Sequence, residues 1–144
     1  MSRGKSVTKL LLDSSQSVLF AGIEIHNKPH IAYRYPTTVI LIINAWELAL
    51  KAYVYKYIGK KKIYEKDKKH TTSFSRALVL VRDDIYSKKK KDQYRAMFEN
   101  IDLLNEYRCS NVHFAESNLN PIIFMLVSKT VHHFTTFISE FPVA

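Results

Sequence analysis

Apolar residues recur at helical spacing in five segments of the chain, and the stretches between them are polar or contain Pro and Gly. The most apolar segment spans residues 37–57 and contains neither Pro nor Gly. Because apolar side chains surround most of it, we predict a buried central helix. Thr37 or Thr38 is a suitable N-cap and Gly59 a suitable C-cap. Pro36 is expected to hold the residue before it in an extended conformation.

The same periodicity predicts four more helices. Ser73 or Ser75 can cap the short third one and Asp92 the fourth, while Pro121 fits the first turn of the last. These helices are predicted over residues 5–27, 73–86 and 92–109, with the last one starting between residues 117 and 121 and running to 141. We therefore predict an all-α fold, an antiparallel bundle of four long helices and one short helix. The length fits one domain over residues 1–144, which can also be part of a longer protein.

Composition and charge narrow the class of protein. An apolar fraction of 47% is typical of a folded chain, and only 3 Gly and 4 Pro argue against an all-β fold. The net charge of +9 favours a polyanionic partner, which can be RNA, DNA or an acidic protein. A contribution to solubility alone is the other interpretation of this charge.

Cysteine, histidine and hydropathy patterns bear on cofactors and location. The single cysteine, Cys109, fits a reducing cytosol, and the 6 His residues show no metal-binding spacing, so no metal or other cofactor is expected.

The basic N-terminus is not followed by a signal-type apolar segment. Residues 37–57 are long enough to cross a bilayer, but Glu47 and Lys51 in the middle argue against a membrane span. We expect a cytoplasmic protein.

Two lysine-rich stretches, residues 60–69 and 88–91, interrupt the helical pattern and are predicted as exposed loops, the first with a short hairpin arm around Ile63 and Tyr64. Lysines interleaved with tyrosines suit nucleic acid, because lysines contact phosphates while aromatic rings stack on bases. A solvated surface without a partner is an equally good interpretation. The lysines predicted to bind RNA are Lys60, Lys61, Lys62, Lys68, Lys69, Lys88 and Lys89.

A polar stripe interrupts the central helix. Asn44, Glu47 and Lys51 are spaced so that they share one face. Because buried charges need partners, the stripe must reach solvent or pair with polar groups elsewhere. One interpretation is an ordinary Glu47–Lys51 pair; the other is a polar network that supports a functional site.

The turn before the last helix holds the strongest candidate for chemistry. Arg108 closes the fourth predicted helix and His113 follows five residues later. An arginine offers a permanent bidentate cation for phosphate oxygens, and a histidine can accept and return a proton near neutral pH. Together they suffice for cleavage of RNA by its own 2′-OH, with Arg108 stabilising the charged phosphorus centre. A structural arginine and a loop histidine are the competing interpretation. His132 and His133, inside the last helix, are expected to be packing or rim residues.

Three segments carry a resemblance to a known superfamily: I-E-I-H-N-K-P, N-A-W-E-L-A-L-K-A and R-C-S-N-V-H-F. They resemble a bacterial family of HEPN-like proteins, in which an N-A-W-E-L-L-L-K-A helix precedes an R-N-x-x-x-H-F motif. The likeness extends over about residues 10–140. It departs where Cys109 follows the arginine, a place where the family usually has a polar residue, for which Asn111 is the candidate substitute. Ala115 stands where some HEPN toxins have a modified tyrosine.

The resemblance implies a HEPN fold and a metal-independent endoribonuclease of phage defence, toxin–antitoxin or RNA-processing systems, with a possible antitoxin or effector protein as partner. It also implies a homodimer whose two R-x4-H motifs share one cleft, with Arg108 and His113 as the catalytic pair. On this basis we expect Glu47 to orient Arg108, with Asn44 and Lys51 at the edge of the cleft. The alternatives are a non-catalytic HEPN-like module that binds RNA or dimerises, and an adaptor for an acidic protein.

Overall fold

The computed structural model describes residues 6–64, 71–109 and 120–142. Over these ranges the chain is all-α, as predicted, and forms five α-helices. Their bounds are α1 Val7–His26, α2 Arg34–Tyr53, α3 Phe74–Ser87, α4 Lys91–Cys109 and α5 Asn120–Glu140. Four of them begin and end within three residues of the predicted bounds; α2 begins three residues and ends four residues before its predicted bounds. The side chain of Ser73 accepts a hydrogen bond from the backbone N–H of Arg76 and so caps α3 as expected.

The start of α2 differs from the prediction. The helix begins at Arg34, so Thr37 and Thr38 lie inside its first turns rather than at its N-cap. The N-cap is Tyr33, with φ 55° in the left-handed region. Pro36 therefore occupies the first turn, where its missing N–H removes no intrahelical hydrogen bond. The residue before it, Tyr35, is helical rather than extended.

Helix α2 is the centre of the core, as its apolar sequence predicts. The indole of Trp46 is fully buried, with its ring centroid 5.2 Å from that of Phe134 and 5.5 Å from that of Phe137. Helix α1 packs closely along α2 at Gly22, where an added Cβ would lie only 2.9 Å from Cδ1 of Ile42. Helix α2 thus packs against both α1 and α5.

The end of α2 leads into the first basic stretch. A π-helical turn, Val54–Ile58, extends the helix and stops at Gly59, whose N–H donates to the carbonyl of Val54 at 2.8 Å. A short 3₁₀ helix, Lys60–Ile63, follows, and Tyr64 pairs with Thr71 in a single antiparallel bridge. This bridge is the part of the predicted hairpin arm that lies within the described ranges.

Two segments of the described chain are long and apolar enough to cross a membrane by length and composition: Arg34–Ile58 and Pro121–Glu140. In the first segment, 67% of the most apolar 18-residue stretch is buried inside the protein, as expected for a core helix. In the second only 28% is buried. Helix α5 therefore keeps much of its apolar surface outside the core.

Candidate functional site

Arg108 lies in the last turn of α4, the position predicted from the sequence. Its guanidinium carbon lies 5.5 Å from the ring centroid of Phe74 at the start of α3, a cation–π contact that orients the half-buried side chain. No carboxylate of the described residues forms an ion pair with it. The charge of Arg108 is therefore not neutralised by that part of the chain. The other predicted members of this site, His113 and Asn111, lie outside the described residues.

Further aromatic and cationic side chains lie at the end of the protein where α4 stops. Tyr107, beside Arg108, has its pKa raised by burial and then by the nearby phenol of Tyr35 at the start of α2. Arg34, the first residue of α2, places its guanidinium carbon 5.0 Å from the Tyr35 ring centroid and 5.8 Å from that of Phe124 in α5. The end of α4 and the starts of α2 and α5 thus lie at the same end of the protein, with Arg108 on α4 and Arg34 on α2.

His26, the last residue of α1, belongs to the same cluster. Its imidazole is only 7% exposed, stacks on Phe124 at a centroid distance of 4.4 Å, and has no hydrogen-bond partner on either nitrogen among the described residues. The backbone carbonyl of His26 accepts a 2.7 Å hydrogen bond from Nε of Arg34. Burial lowers the pKa of His26, and the positive charge of Arg34 lowers it further, so this imidazole is neutral at pH 7.

Sequence reasoning missed both His26 and Arg34 as members of this cluster. The available signal was an arginine between two tyrosines just ahead of Pro36. That pattern suggests a polar connector, but it does not show that Phe124, far along the chain, will lie against the guanidinium. The juxtaposition depends on how α1, α2 and α5 pack.

The polar stripe of α2 forms a local network. Nζ of Lys51 lies 3.1 Å from Oε2 of Glu47 and donates a 2.7 Å hydrogen bond to the Thr71 hydroxyl. The predicted pairing of Glu47 with Arg108 is wrong, because the nearer ammonium of Lys51 takes the carboxylate and no ion pair joins these two described residues. Asn44 is exposed and makes no side-chain hydrogen bond to the described chain. The ordinary Glu47–Lys51 pair is confirmed, and it also ties the end of the basic stretch to α2.

The predicted RNA-binding lysines differ in whether their side chains are exposed or bound to other groups of the protein. Lys60, Lys61 and Lys62 are exposed on the 3₁₀ helix. Lys89 is exposed in the turn between α3 and α4, where its φ is 62°. Lys88 is engaged within the protein, and the remaining two predicted lysines, Lys68 and Lys69, lie outside the described residues.

The partners of Lys88 explain why it is not a free cation. Its Nζ lies 3.3 Å from Oδ2 of Asp84 and donates to the hydroxyl of Tyr53 at 3.1 Å. That hydroxyl donates to Asp84 at 2.6 Å, and burial together with this hydrogen bond raises the pKa of Tyr53 far above its usual value. Lys88 is therefore better described as part of the contact between α2 and α3.

Across the described part of the chain, no group of three or more His, Cys, Asp or Glu side chains is arranged to hold a metal ion. Cys109 is exposed at the end of α4, with its Sγ 4.0 Å from Oδ1 of Asn105. Besides the exposed carboxylates of Glu24 and Glu106, this end of the protein carries arginine, aromatic and imidazole side chains, and the arginines are suited to binding phosphate groups.

Comparison with known proteins gives one family. No curated protein and no solved structure matches the chain. The sequence model of one family, described as a domain of unknown function (DUF3644), matches residues 10–142. This match includes all the described helices except the first residues of α1. The protein therefore belongs to the DUF3644 family.

Proposed function

We propose that this protein is an endoribonuclease of the HEPN type that cleaves RNA by attack of the 2′-OH on the adjacent phosphorus. The observation that carries the proposal is Arg108, a helix-terminal guanidinium that no described carboxylate neutralises, in a chain with a net charge of +9. A second arginine, Arg34, lies at the same end of the protein on the rings of Tyr35 and Phe124. Such a surface attracts a polyanion.

In the proposed reaction, His113 takes the proton from the 2′-OH and returns a proton to the 5′-oxygen that leaves. The bond between phosphorus and that oxygen breaks as the bond to the 2′-oxygen forms, which gives a 2′,3′-cyclic phosphate. Arg108 stabilises the added negative charge on the phosphate oxygens during this exchange. The contact with Phe74 would hold the guanidinium in place, which reduces the cost of orienting it.

We further propose that two copies form the active site together. Support comes from a groove of about 310 Å³ between α1 and α5, which is lined by nine residues without a charged side chain. Phe20 at this groove is 65% exposed. Two chains with the same positive charge repel each other, so two copies can approach with the smallest electrostatic cost through an uncharged apolar face.

The proposed setting is the cytoplasm, in phage defence or a toxin–antitoxin system with a restraining partner protein.

A non-catalytic RNA-binding or dimerising module is the second candidate. It is favoured by Cys109, which replaces the polar residue expected after the arginine and is turned to solvent. It is also favoured by the packing of Arg108 on Phe74, which gives this arginine a structural contact. In such a module, Arg108 would bind phosphate without contributing to cleavage.

Cleavage of an end-labelled RNA of mixed sequence in the presence of EDTA separates the two candidates. We expect the wild type to leave 2′,3′-cyclic phosphate ends, and His113→Ala and Arg108→Ala each to lose roughly 10²-fold or more in rate. His30→Ala, in the exposed turn between α1 and α2, is the matched control and should cleave normally. RNA binding without cleavage would support the second candidate. Equal cleavage by all variants would refute the assignment of both residues.

A further inference from the structure

A second groove lies between α4 and α5, on the part of α4 that precedes Arg108. It is shallow and open to solvent, with a volume of about 480 Å³. Its lining consists of Ala96 and Asn100 from α4 and of Ser128, Lys129, His132 and His133 from α5. No carboxylate is among these six residues, whereas an ammonium and two imidazoles are.

The ammonium and the two imidazoles of this groove lie close together. The ring centroids of His132 and His133 are 6.3 Å apart, and both His132 and Lys129 are exposed. Burial lowers the pKa of His133, and the neighbouring His132 and Lys129 lower it further because their positive charges disfavour a third one. An anion bound between these side chains would be attracted by the ammonium of Lys129 and would favour a proton on His133, so the groove is electrostatically suited to a negatively charged ligand.

Asn100 fixes the half-buried side of the groove. Its Nδ2 lies 3.3 Å from Nε2 of His133, so a neutral imidazole can accept this hydrogen bond and keep its own proton on Nδ1. The hydroxyl of Ser128 is already used, since it donates to the carbonyl of Phe124 at 3.0 Å. The donors left for a ligand are therefore Lys129, His132, the Nδ1–H of His133 and the second N–H of the Asn100 amide.

We propose that the groove formed by Asn100, Lys129, His132 and His133 binds a backbone phosphate of RNA, outside the Arg108–His113 pair. Exposed apolar side chains flank it at helical spacing, Leu103 one turn from Asn100 and Met125 one turn from Lys129. These give a nucleotide an apolar surface on which a base can rest. Asn100 and Arg108 are eight residues apart on α4, which is ~12 Å along the helix axis.

This inference rests on the proposed RNA substrate, but it does not depend on cleavage. The test therefore uses a fluorescein-labelled 2′-O-methyl oligouridylate, which lacks the attacking 2′-OH and cannot be cleaved by that route. Binding is measured by anisotropy over a range of salt concentrations, and the ring resonances of His133 are followed by NMR. If the modified oligonucleotide binds in the groove while unmodified RNA is not cleaved, the proposed function fails and the groove assignment stands.

Lys129→Gln is the test variant, and Lys9→Gln is its control, because Lys9 is also exposed but lies on α1, where it pairs with Asp13 at 3.2 Å. We expect Lys129→Gln to weaken binding roughly five- to tenfold and to lower the salt slope by about one, with little change for Lys9→Gln. The His133 resonances should shift on addition of the oligonucleotide. Equal losses for the two variants, or resonances that respond to inorganic phosphate but not to the oligonucleotide, would overturn the proposal.

Discussion

At the scale of single residues, His26 is the clearest case of a polar group placed by packing rather than by hydrogen bonding. It is buried against Phe124, and neither ring nitrogen has a partner in the described chain. A buried group in this state lacks the hydrogen bonds it would have in water. The pKa of His26 lies below its ordinary value of 6.5, so His26 binds a proton more weakly in the folded protein than in the unfolded chain.

Replacement of His26 by leucine should change how stability depends on pH. Above the ordinary pKa of 6.5 the imidazole is neutral in both states. As the pH falls below that value, the unfolded chain gains a proton that the folded chain does not bind, so the wild type loses stability. We expect His26→Leu to lose less stability than the wild type between pH 8 and pH 5.5.

Urea unfolding at the two pH values measures this difference. The titration of His133, whose pKa is also lowered, is common to both proteins and cancels in the comparison. His30→Leu serves as the control, since His30 is exposed in a turn. An identical loss of stability in the wild type and His26→Leu would show that His26 does not contribute to the pH dependence.

At the scale of elements, the contact between α1 and α2 depends on the missing side chain of Gly22. A Cβ there would meet Cδ1 of Ile42 at 2.9 Å and Cβ of Leu41 at 3.2 Å. The methyl end of Ile42 could rotate, but it is fully buried and has little room. Close packing of two helices at this point therefore requires glycine.

Gly22→Val should destabilise the protein by about 1–3 kcal/mol, because the branched side chain forces α1 away from α2. Ala21→Val, one residue earlier on the exposed side of the same helix, should cost only about half a kcal/mol from helix propensity. The free energy of unfolding in urea compares the two. Similar costs at both positions would mean that α1 can shift without loss of packing.

The link between α2 and the basic stretch is a second feature at this scale. Lys51 is only 8% exposed in its side chain, and its Nζ bonds both Glu47 and Thr71. Next to this contact, the N–H of Thr72 donates to the carbonyl of Ile63 at 2.6 Å. The network thus fixes where the chain re-enters the core after the exposed lysines.

Lys51→Met should weaken the attachment of Thr71 and Thr72 to α2 while keeping the aliphatic packing of the side chain at position 51. Loss of about 1 kcal/mol of hydrogen bonding corresponds to roughly fivefold faster hydrogen exchange at the amide of Thr72. The amide of Leu104, in the core of α4, should exchange at an unchanged rate. Unchanged exchange at Thr72 would show that Lys51 does not hold the stretch in place.

At the scale of the whole molecule, the distribution of charge is uneven. The chain carries a net charge of +9, yet the groove between α1 and α5 is lined by uncharged residues. If two copies meet there, Phe20→Glu should weaken the dimer roughly tenfold or more, because it places two carboxylates in an apolar interface. Leu10→Glu, on α1 outside the groove lining and also exposed, is the matched control.

Sedimentation analysis at several protein concentrations tests this prediction. We expect the wild type and Leu10→Glu to be dimeric and Phe20→Glu to be monomeric. A wild type that is monomeric at all concentrations, or a Phe20→Glu that remains dimeric, would contradict an interface at this groove.

The sequence by itself determined the helices. Spacing of apolar residues predicted the all-α class, the buried helix around Trp46 and the cap at Ser73, because these features depend on residues within a few positions of each other. It failed at the start of α2, where the first helical turn accommodates Pro36. It also predicted that Asn44, Glu47 and Lys51 share a face, but not that Lys51 is the buried one.

The tertiary structure alone decided which distant side chains meet. The stacking of Arg34 and His26 on Phe124, and the hydrogen bond between Asn100 and His133, join residues from different helices. Helical spacing fixes the face on which a residue lies, but not the angle or offset at which two helices pack. Those depend on the fit of many core side chains at once, such as the close approach at Gly22, so the groove between α4 and α5 became visible only in the folded protein.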